Sequence, residues 1–155
     1  MSINYRVDAK RNLVITQANG TIGALDICMH MNQVQHDPRF REGMNSIADA
    51  TDARLDVSLN EIWEIARHAE TLAHGAAPAR WAVVAPGDAA FGSFRVFESI
   101  VRPFGIDAQV FRSQDDALAW LTQHAPSRHQ NALPPHPKTA VGGVGSGAGT
   151  PPAED

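Results

Sequence analysis

Residues 1–125 predict an α/β fold, a mixed five-stranded sheet that opens with a β-hairpin and continues as four βα units. Three observations predict it. Apolar residues alternate at Ile3, Tyr5 and Val7 beside the β-branched run Leu13-Val14-Ile15-Thr16. Helical repeats then alternate with short strand signals. Finally, Trp81-Ala82-Val83-Val84-Ala85 is continuously apolar, as a strand covered on both faces should be.

The first strand places Asn4, Arg6 and Asp8 opposite its apolar face, and the polar Ala9-Lys10-Arg11-Asn12 turns the chain back into the second. Asn19-Gly20 ends the hairpin and Thr21 is placed to cap a helix. In that helix Ala24, Ile27, Cys28, Met31 and Val34 share a side, and Asp37-Pro38 stops it, because the residue before proline resists the α region. Ile47-Ala48-Asp49-Ala50-Thr51 is a short strand, less hydrophobic than a buried central strand ought to be, and Leu55-Asp56-Val57 is a loop. Ser58-Leu59-Asn60-Glu61 is a capping box. The helix behind it has Ile62, Ile65, Ala66, Ala69 and Leu72 on one face, Glu61, Glu64, Arg67 and Glu70 on the other, and Gly75 and Pro78 at its end. After the apolar strand, a helix over residues 88–102 turns Phe94, Phe97, Val101 and Phe104 inward, and Gly105 closes it. Gln109-Val110-Phe111 is the last strand. Ser113-Gln114-Asp115-Asp116 is a second capping box, opening a short helix that buries Leu118 and Leu121. Strict alternation after the hairpin implies parallel strands joined by right-handed crossovers. From Pro126 the chain becomes rich in proline and glycine, so 126–155 is expected to be a disordered tail.

Composition narrows the function classes. The chain has 155 residues, 43% of them hydrophobic, which suits one domain with a core. A net charge of −4 with scattered arginines (Arg11, Arg54, Arg67, Arg80, Arg95) argues against nucleic acid, since phosphate neutralisation needs grouped cations. These arginines are expected to be ordinary surface residues. The single cysteine, Cys28, lies on an apolar stripe and has no partner within the chain, so a reducing, cytoplasmic setting is expected. No apolar run approaches the roughly 20 residues that span a bilayer, and the first residues lack an apolar signal core.

Several stretches carry a family resemblance: Ile3-Asn4-Tyr5-Arg6-Val7-Asp8, Asp37-Pro38-Arg39-Phe40, Asp49 in the third strand, and above all Val84-Ala85-Pro86-Gly87-Asp88-Ala89-Ala90-Phe91-Gly92 running into Arg95-Val96-Phe97-Glu98. With the hairpin and the βα units, residues 3–124 resemble the SpoIIAA-like group, largely uncharacterised bacterial proteins related to the STAS domains of anti-sigma-factor antagonists. The resemblance implies the fold and a regulatory module that works through a protein partner. STAS antagonists have a phosphorylatable serine in an Asp-Ser-Ser-Gly-like turn after the third strand. This chain has Asp52-Ala53-Arg54-Leu55-Asp56-Val57-Ser58 instead, longer and without glycine, with Ser58 in the comparable place. Related folds in lipid-transfer proteins bind apolar ligands.

The candidate partner- or ligand-binding residues are Asp49, Asp52, Ser58, Asp88, Gly92 and Arg95. Ser58 is an anion-binding or phosphate-accepting residue at a helix start, or simply a cap that aspartate could replace. Asp49, Asp52 and Asp88 fall at or just past the carboxyl ends of parallel strands, the edge where ligands gather in open α/β sheets, or serve local turns. Gly92 lies one turn before Arg95 and is expected in a tight contact flanked by Phe91 and Phe94. Arg95 points to an anion, or pairs with Glu98 or Glu64. No nucleophile elbow, phosphate loop or dinucleotide fingerprint occurs, and the histidine spacings, including His124, His129 and His136, match no common zinc pattern. The expectation is a module without catalysis, cofactor or metal, acting on a protein partner. The alternative is a small apolar or anionic ligand held between the carboxyl edge and helix 88–102. A second copy of the chain is a further candidate partner.

Overall fold

A computed structural model describes residues 2–73 and 79–123 of the chain. The expected proline- and glycine-rich tail and the helix stop at Gly75 and Pro78 lie outside the described residues. The elements run β1 (Ser2–Asp8), β2 (Leu13–Ile22), α1 (Ala24–Gln35), β3 (Asn45–Leu55), α2 (Leu59–Ala73), β4 (Arg80–Val84), α3 (Asp88–Val101), a 3₁₀ turn (Arg102–Phe104), β5 (Asp107–Phe111) and α4 (Gln114–Thr122). They form one five-stranded sheet in the order β1-β2-β3-β4-β5. β1 is antiparallel to β2, and every later pairing is parallel. The mixed α/β architecture is therefore the one the alternating pattern predicts.

The two faces of the sheet are unlike. Leu13, Ile47, Ala82 and Val84 meet Ala117 and Leu121 of α4 on one side. On the other, α1, α2 and α3 pack together over Trp81, Ala108, Ala50 and Val83. Strict alternation along β4 serves both: Ala82 and Val84 face α4, while Trp81 and Val83 face the three-helix layer. Sequential strand order puts every βα crossover on one face, which is why three helices share it.

Three local expectations change. β2 does not end at Asn19-Gly20. It continues to Ile22, because Gly20 takes a left-handed φ of 79° inside the strand rather than at a turn. Gln17 pairs with Asp49 but Asn19 pairs with Asp52, so β3 carries one extra residue, a β-bulge. The Asp49 carboxylate accepts from the Thr51 amide at 2.9 Å and from its hydroxyl at 2.6 Å, serving the backbone where the ladder is broken. β3 is consequently 11 residues long, and Leu55 belongs to it rather than to a loop. Thr21 caps nothing, since it lies within β2. The α1 start is Gly23, whose amide donates to the Asp26 carboxylate at 2.8 Å.

Arg80 is not an ordinary surface arginine. It is only 8% exposed, lies 5.2 Å over the Trp120 ring, and donates to the Trp120 and Gln123 carbonyls at 2.8 and 2.9 Å. Those carbonyls stand at the end of α4, where Trp120 O also accepts from the Gln123 amide at 3.3 Å, so a cation there adds to the hydrogen bonding and complements the helix dipole. Asp107 stands 3.4 Å from the same guanidinium. Edge strand β5 is guarded similarly. The buried Glu98 carboxylate accepts from the Val110 amide at 3.2 Å and is paired by Arg95 and Arg102 at 3.1 and 2.8 Å. An edge amide thus meets a carboxylate instead of another chain.

Gly92 is exposed, and a Cβ built on it would meet nothing within 4 Å. The expected tight contact is absent, because Phe94 turns toward the sheet while position 92 turns to solvent. Gly92→Ala is therefore expected to stabilise the domain by about 0.5 to 1 kcal/mol through helix propensity. A chemical-denaturation midpoint that rises checks this, and a fall would restore the packing account.

Candidate functional site

The three-helix layer does not close onto the sheet. A cavity of about 660 Å³ lies between them. Its floor is made by Thr16 and Ala18 of β2, Ala48 and Ala50 of β3, and Trp81 and Val83 of β4, and its roof by Ile27 and Met31 of α1, Leu72 of α2 and Phe94 of α3. Small side chains on the central strand open it. Paired across the floor, Thr16, Ala48 and Val83 occupy one row, so the roof stands over little more than an alanine at the centre. Its volume falls in the range of small-molecule sites, whose linings are apolar with a few placed polar groups.

The mouth can be located from the lining residues that reach solvent. Glu42, Glu70, Ala73 and Gly105 are exposed. All four lie at the amino ends of the parallel strands, in the segments that lead into β3, β4 and β5. The cavity thus opens at the edge opposite to the carboxyl edge that the fold class suggested.

One polar pair, buried at Thr16 and half-buried at His30, stands in the lining. Thr16 Oγ1 and His30 Nε2 are 3.1 Å apart, and His30 Nδ1 is buried without a hydrogen-bond partner. Burial lowers the His30 pKa, so the ring is held neutral. Tyr5 packs edge-on against it at 5.5 Å. The single hydrogen of the Tyr5 hydroxyl is shared between two acceptors, the Gln33 carbonyl at 3.1 Å and the Asp37 carboxylate at 3.3 Å. Asp37 also accepts from the Arg39 guanidinium and amide, which hold its carboxyl well below the usual carboxylate range. The stretch Asp37-Pro38-Arg39-Phe40 thereby ties the end of α1 to β1 and delivers Phe40 to the cavity wall.

None of the six residues singled out from the sequence lines this cavity. Asp49 holds the β3 bulge, and Asp52 is exposed within β3 rather than past its end. Asp88 is exposed and pairs with Arg112, whose guanidinium also bonds the Pro86 carbonyl at 3.0 Å and stacks on Phe91 at 4.2 Å. Arg95 pairs with Glu98. Ser58 is a cap: its hydroxyl accepts from the Glu61 amide at 3.3 Å and donates to the Glu61 carboxylate at 2.8 Å, which also takes the Ser58 amide at 2.7 Å. These bonds, the amide's first, lower the Glu61 pKa. The acidic residues do not converge, and among the described residues no three His, Cys, Asp or Glu side chains could hold a metal. Sequence reasoning missed Thr16 and His30. The one available signal was the weak hydrophobicity of Ile47-Ala48-Asp49-Ala50-Thr51, which is the floor of the cavity.

No family model and no curated protein matches the sequence. Among solved structures, the chain is similar to the crystal structure of an uncharacterized protein of the DUF3478 family with a SpoIIAA-like fold from Shewanella loihica PV-4. The TM-score is 0.51 at 19% identity, over 77% of this chain and 93% of that one. This chain has a SpoIIAA-like fold. The resemblance drawn from the hairpin and the βα order is confirmed at the level of architecture. In this SpoIIAA-like fold Ser58, the first serine after β3, is a cap already bonded to Glu61. Among the described residues no helix is long and apolar enough to cross a membrane.

Two outcomes follow from this geometry. Ser58→Ala should cost about 1 kcal/mol. Ser58→Asp should cost at least as much, because its carboxylate would face Glu61, and Glu61→Gln should relieve it; a neutral Ser58→Asp in urea denaturation would contradict the geometry. For His30, the unfolded ring titrates near 6.5 and the folded ring lower. Between those values the unfolded chain binds more protons, so stability falls as pH drops below about 6.5. Denaturation from pH 7 to pH 5 should show a shallower loss in His30→Gln than in the unaltered protein, and parallel slopes would refute the buried neutral ring.

Proposed function

We propose that this chain is a non-catalytic, STAS-like binding module that takes up a small apolar ligand between the sheet and the α1–α3 layer. The cavity of about 660 Å³ carries the reading. An apolar space of this size that holds only water leaves its walls without the contacts of a packed interior, a cost measured against roughly 25 cal/mol for each Å² of apolar surface that a guest would bury. The mouth admits water, but walls of alanine, valine, leucine and phenylalanine hold water poorly. An apolar guest removes that cost. Among the described residues, the lining is apolar apart from a few placed polar groups, the make-up of a small-molecule site.

A regulatory module also needs a surface on which its state can be read. Leu25 is 71% and Leu59 61% exposed, with Met29 and Trp63 exposed one turn further along the same helices, α1 and α2. Action through a protein partner is favoured by these side chains, on two of the three helices that roof the cavity.

Diphenylhexatriene, a pure hydrocarbon that fluoresces in apolar surroundings, tests the reading. The protein should bind it saturably with one-to-one stoichiometry. Ala48→Phe, which places a ring in the floor, should weaken binding by about tenfold or more, equivalent to about 1.4 kcal/mol, while the fold is retained. Absence of saturable binding, or equal binding by Ala48→Phe, would exclude the cavity as a ligand site.

A further inference from the structure

Resting on the ligand-binding reading above, we infer that the ligand is an uncharged lipophile carrying a hydrogen-bond-accepting oxygen, and that the Thr16–His30 pair is the site's polar contact for it.

Proton counting leads to this. A neutral histidine and a threonine bring two donor hydrogens, one on the ring and one on the hydroxyl. The single contact between Thr16 Oγ1 and His30 Nε2 uses one of them whichever way it points. If Nε2 donates, the threonine hydroxyl hydrogen is left over. If the hydroxyl donates, the hydrogen sits on Nδ1, which is sealed from solvent and unpartnered. The first arrangement leaves only a lone pair on Nδ1 and turns the spare donor to Thr16, a residue of the cavity floor that is 4% exposed. Leaving a buried donor unmade is the expensive case in hydrogen-bond energetics. No other partner of the Thr16 hydroxyl is found among the described residues, so an oxygen on the guest completes the pair.

Charge fixes the rest of the class. Among the described residues no lysine or arginine lines the cavity, and the acidic residues of the lining, Glu42 and Glu70, stand at its mouth. His30 is held neutral by burial among apolar groups. A carboxylate or phosphate would pass two negative charges to reach an interior without a cation, and would arrive desolvated and unpaired. A ketone, ester or ether oxygen incurs no such cost. The remaining polar lining groups, Ser46, Gln35 and the Trp81 indole, lie toward the amino end, Ser46 and Trp81 paired one row nearer it than Thr16, so the contact at depth belongs to Thr16.

The test is displacement of bound diphenylhexatriene by 2-decanone and by decanoate at pH 7. In the unaltered protein 2-decanone should compete better than decanoate. Thr16→Val, which keeps the shape and removes the hydroxyl, should weaken 2-decanone by about five- to tenfold. Its affinity for diphenylhexatriene, which has no oxygen, should not change. Thr16→Ser should keep the ketone affinity. Equal 2-decanone affinity in the unaltered protein and Thr16→Val, with the hydrocarbon still bound, would overturn the inference and leave the cavity reading standing. So would tighter binding of decanoate than of the ketone. Failure of diphenylhexatriene to bind the unaltered protein would remove the cavity reading, and this inference with it.

Discussion

The structure depends on one packing constraint: three helices rest on a sheet face whose central side chains are too small to meet them. Ala18, Ala48 and Ala50 lie on that face, with Trp81 beside them in the floor and Phe94 and Phe97 reaching down from α3. Close-packed interiors leave few voids larger than a water molecule. A floor of alanines under a roof of long helices breaks that rule over a large volume, and the break is held open by the layer's own rigidity. α2 is anchored by Ile62, Ile65, Ala66 and Ala69, and α3 by Phe97 and Val101, so neither helix can sink to fill the space.

Other interactions hold the frame while that space stays open. On the far face α4 seals the sheet, and its end is fixed by Arg80, which reaches from the first residue of β4 to two terminal carbonyls. At the β5 edge, Glu98 links α3 to the backbone of the last strand. At the opposite edge, Tyr5 and Asp37 join β1 to the end of α1. Each contact lies at the margin of the sheet and leaves the centre to the cavity. The carboxyl edge, where the fold class places its ligands by habit, is instead occupied by Arg112, Asp88 and Phe91 bonding and stacking with one another.

The element order was legible because periodicity reports burial directly: the two-residue alternation of β1, the helical stripe of α2 and the apolar run of β4 all stand where the pattern put them. The Ser58 cap was legible because a capping box is a local contact. Glycines misled. Gly20 looked like a turn, but its positive φ is spent beside a bulge that lengthens β3. Gly92 looked like a close approach, but it faces solvent, and nothing in a single sequence separates the two. The cavity was hidden because it is a property of three helices and three strands together. Its trace was visible in the pale hydrophobicity of Ile47-Ala48-Asp49-Ala50-Thr51, where the alanines floor the space and Asp49 serves the bulge. Thr16 and His30 gave no signal, being 14 residues apart and ordinary in their own elements.

The central claim, that an apolar space persists beneath α1, α2 and α3, is most directly measured by diffraction from crystals pressurised with xenon, which enters apolar cavities without regard to ligand chemistry. The account predicts xenon density between the Ala48–Ala50 floor and the helix layer, or a bound lipophile already in that place. A helix layer collapsed onto the sheet, with Phe94 and Leu72 filling the space and no xenon between them, would contradict it.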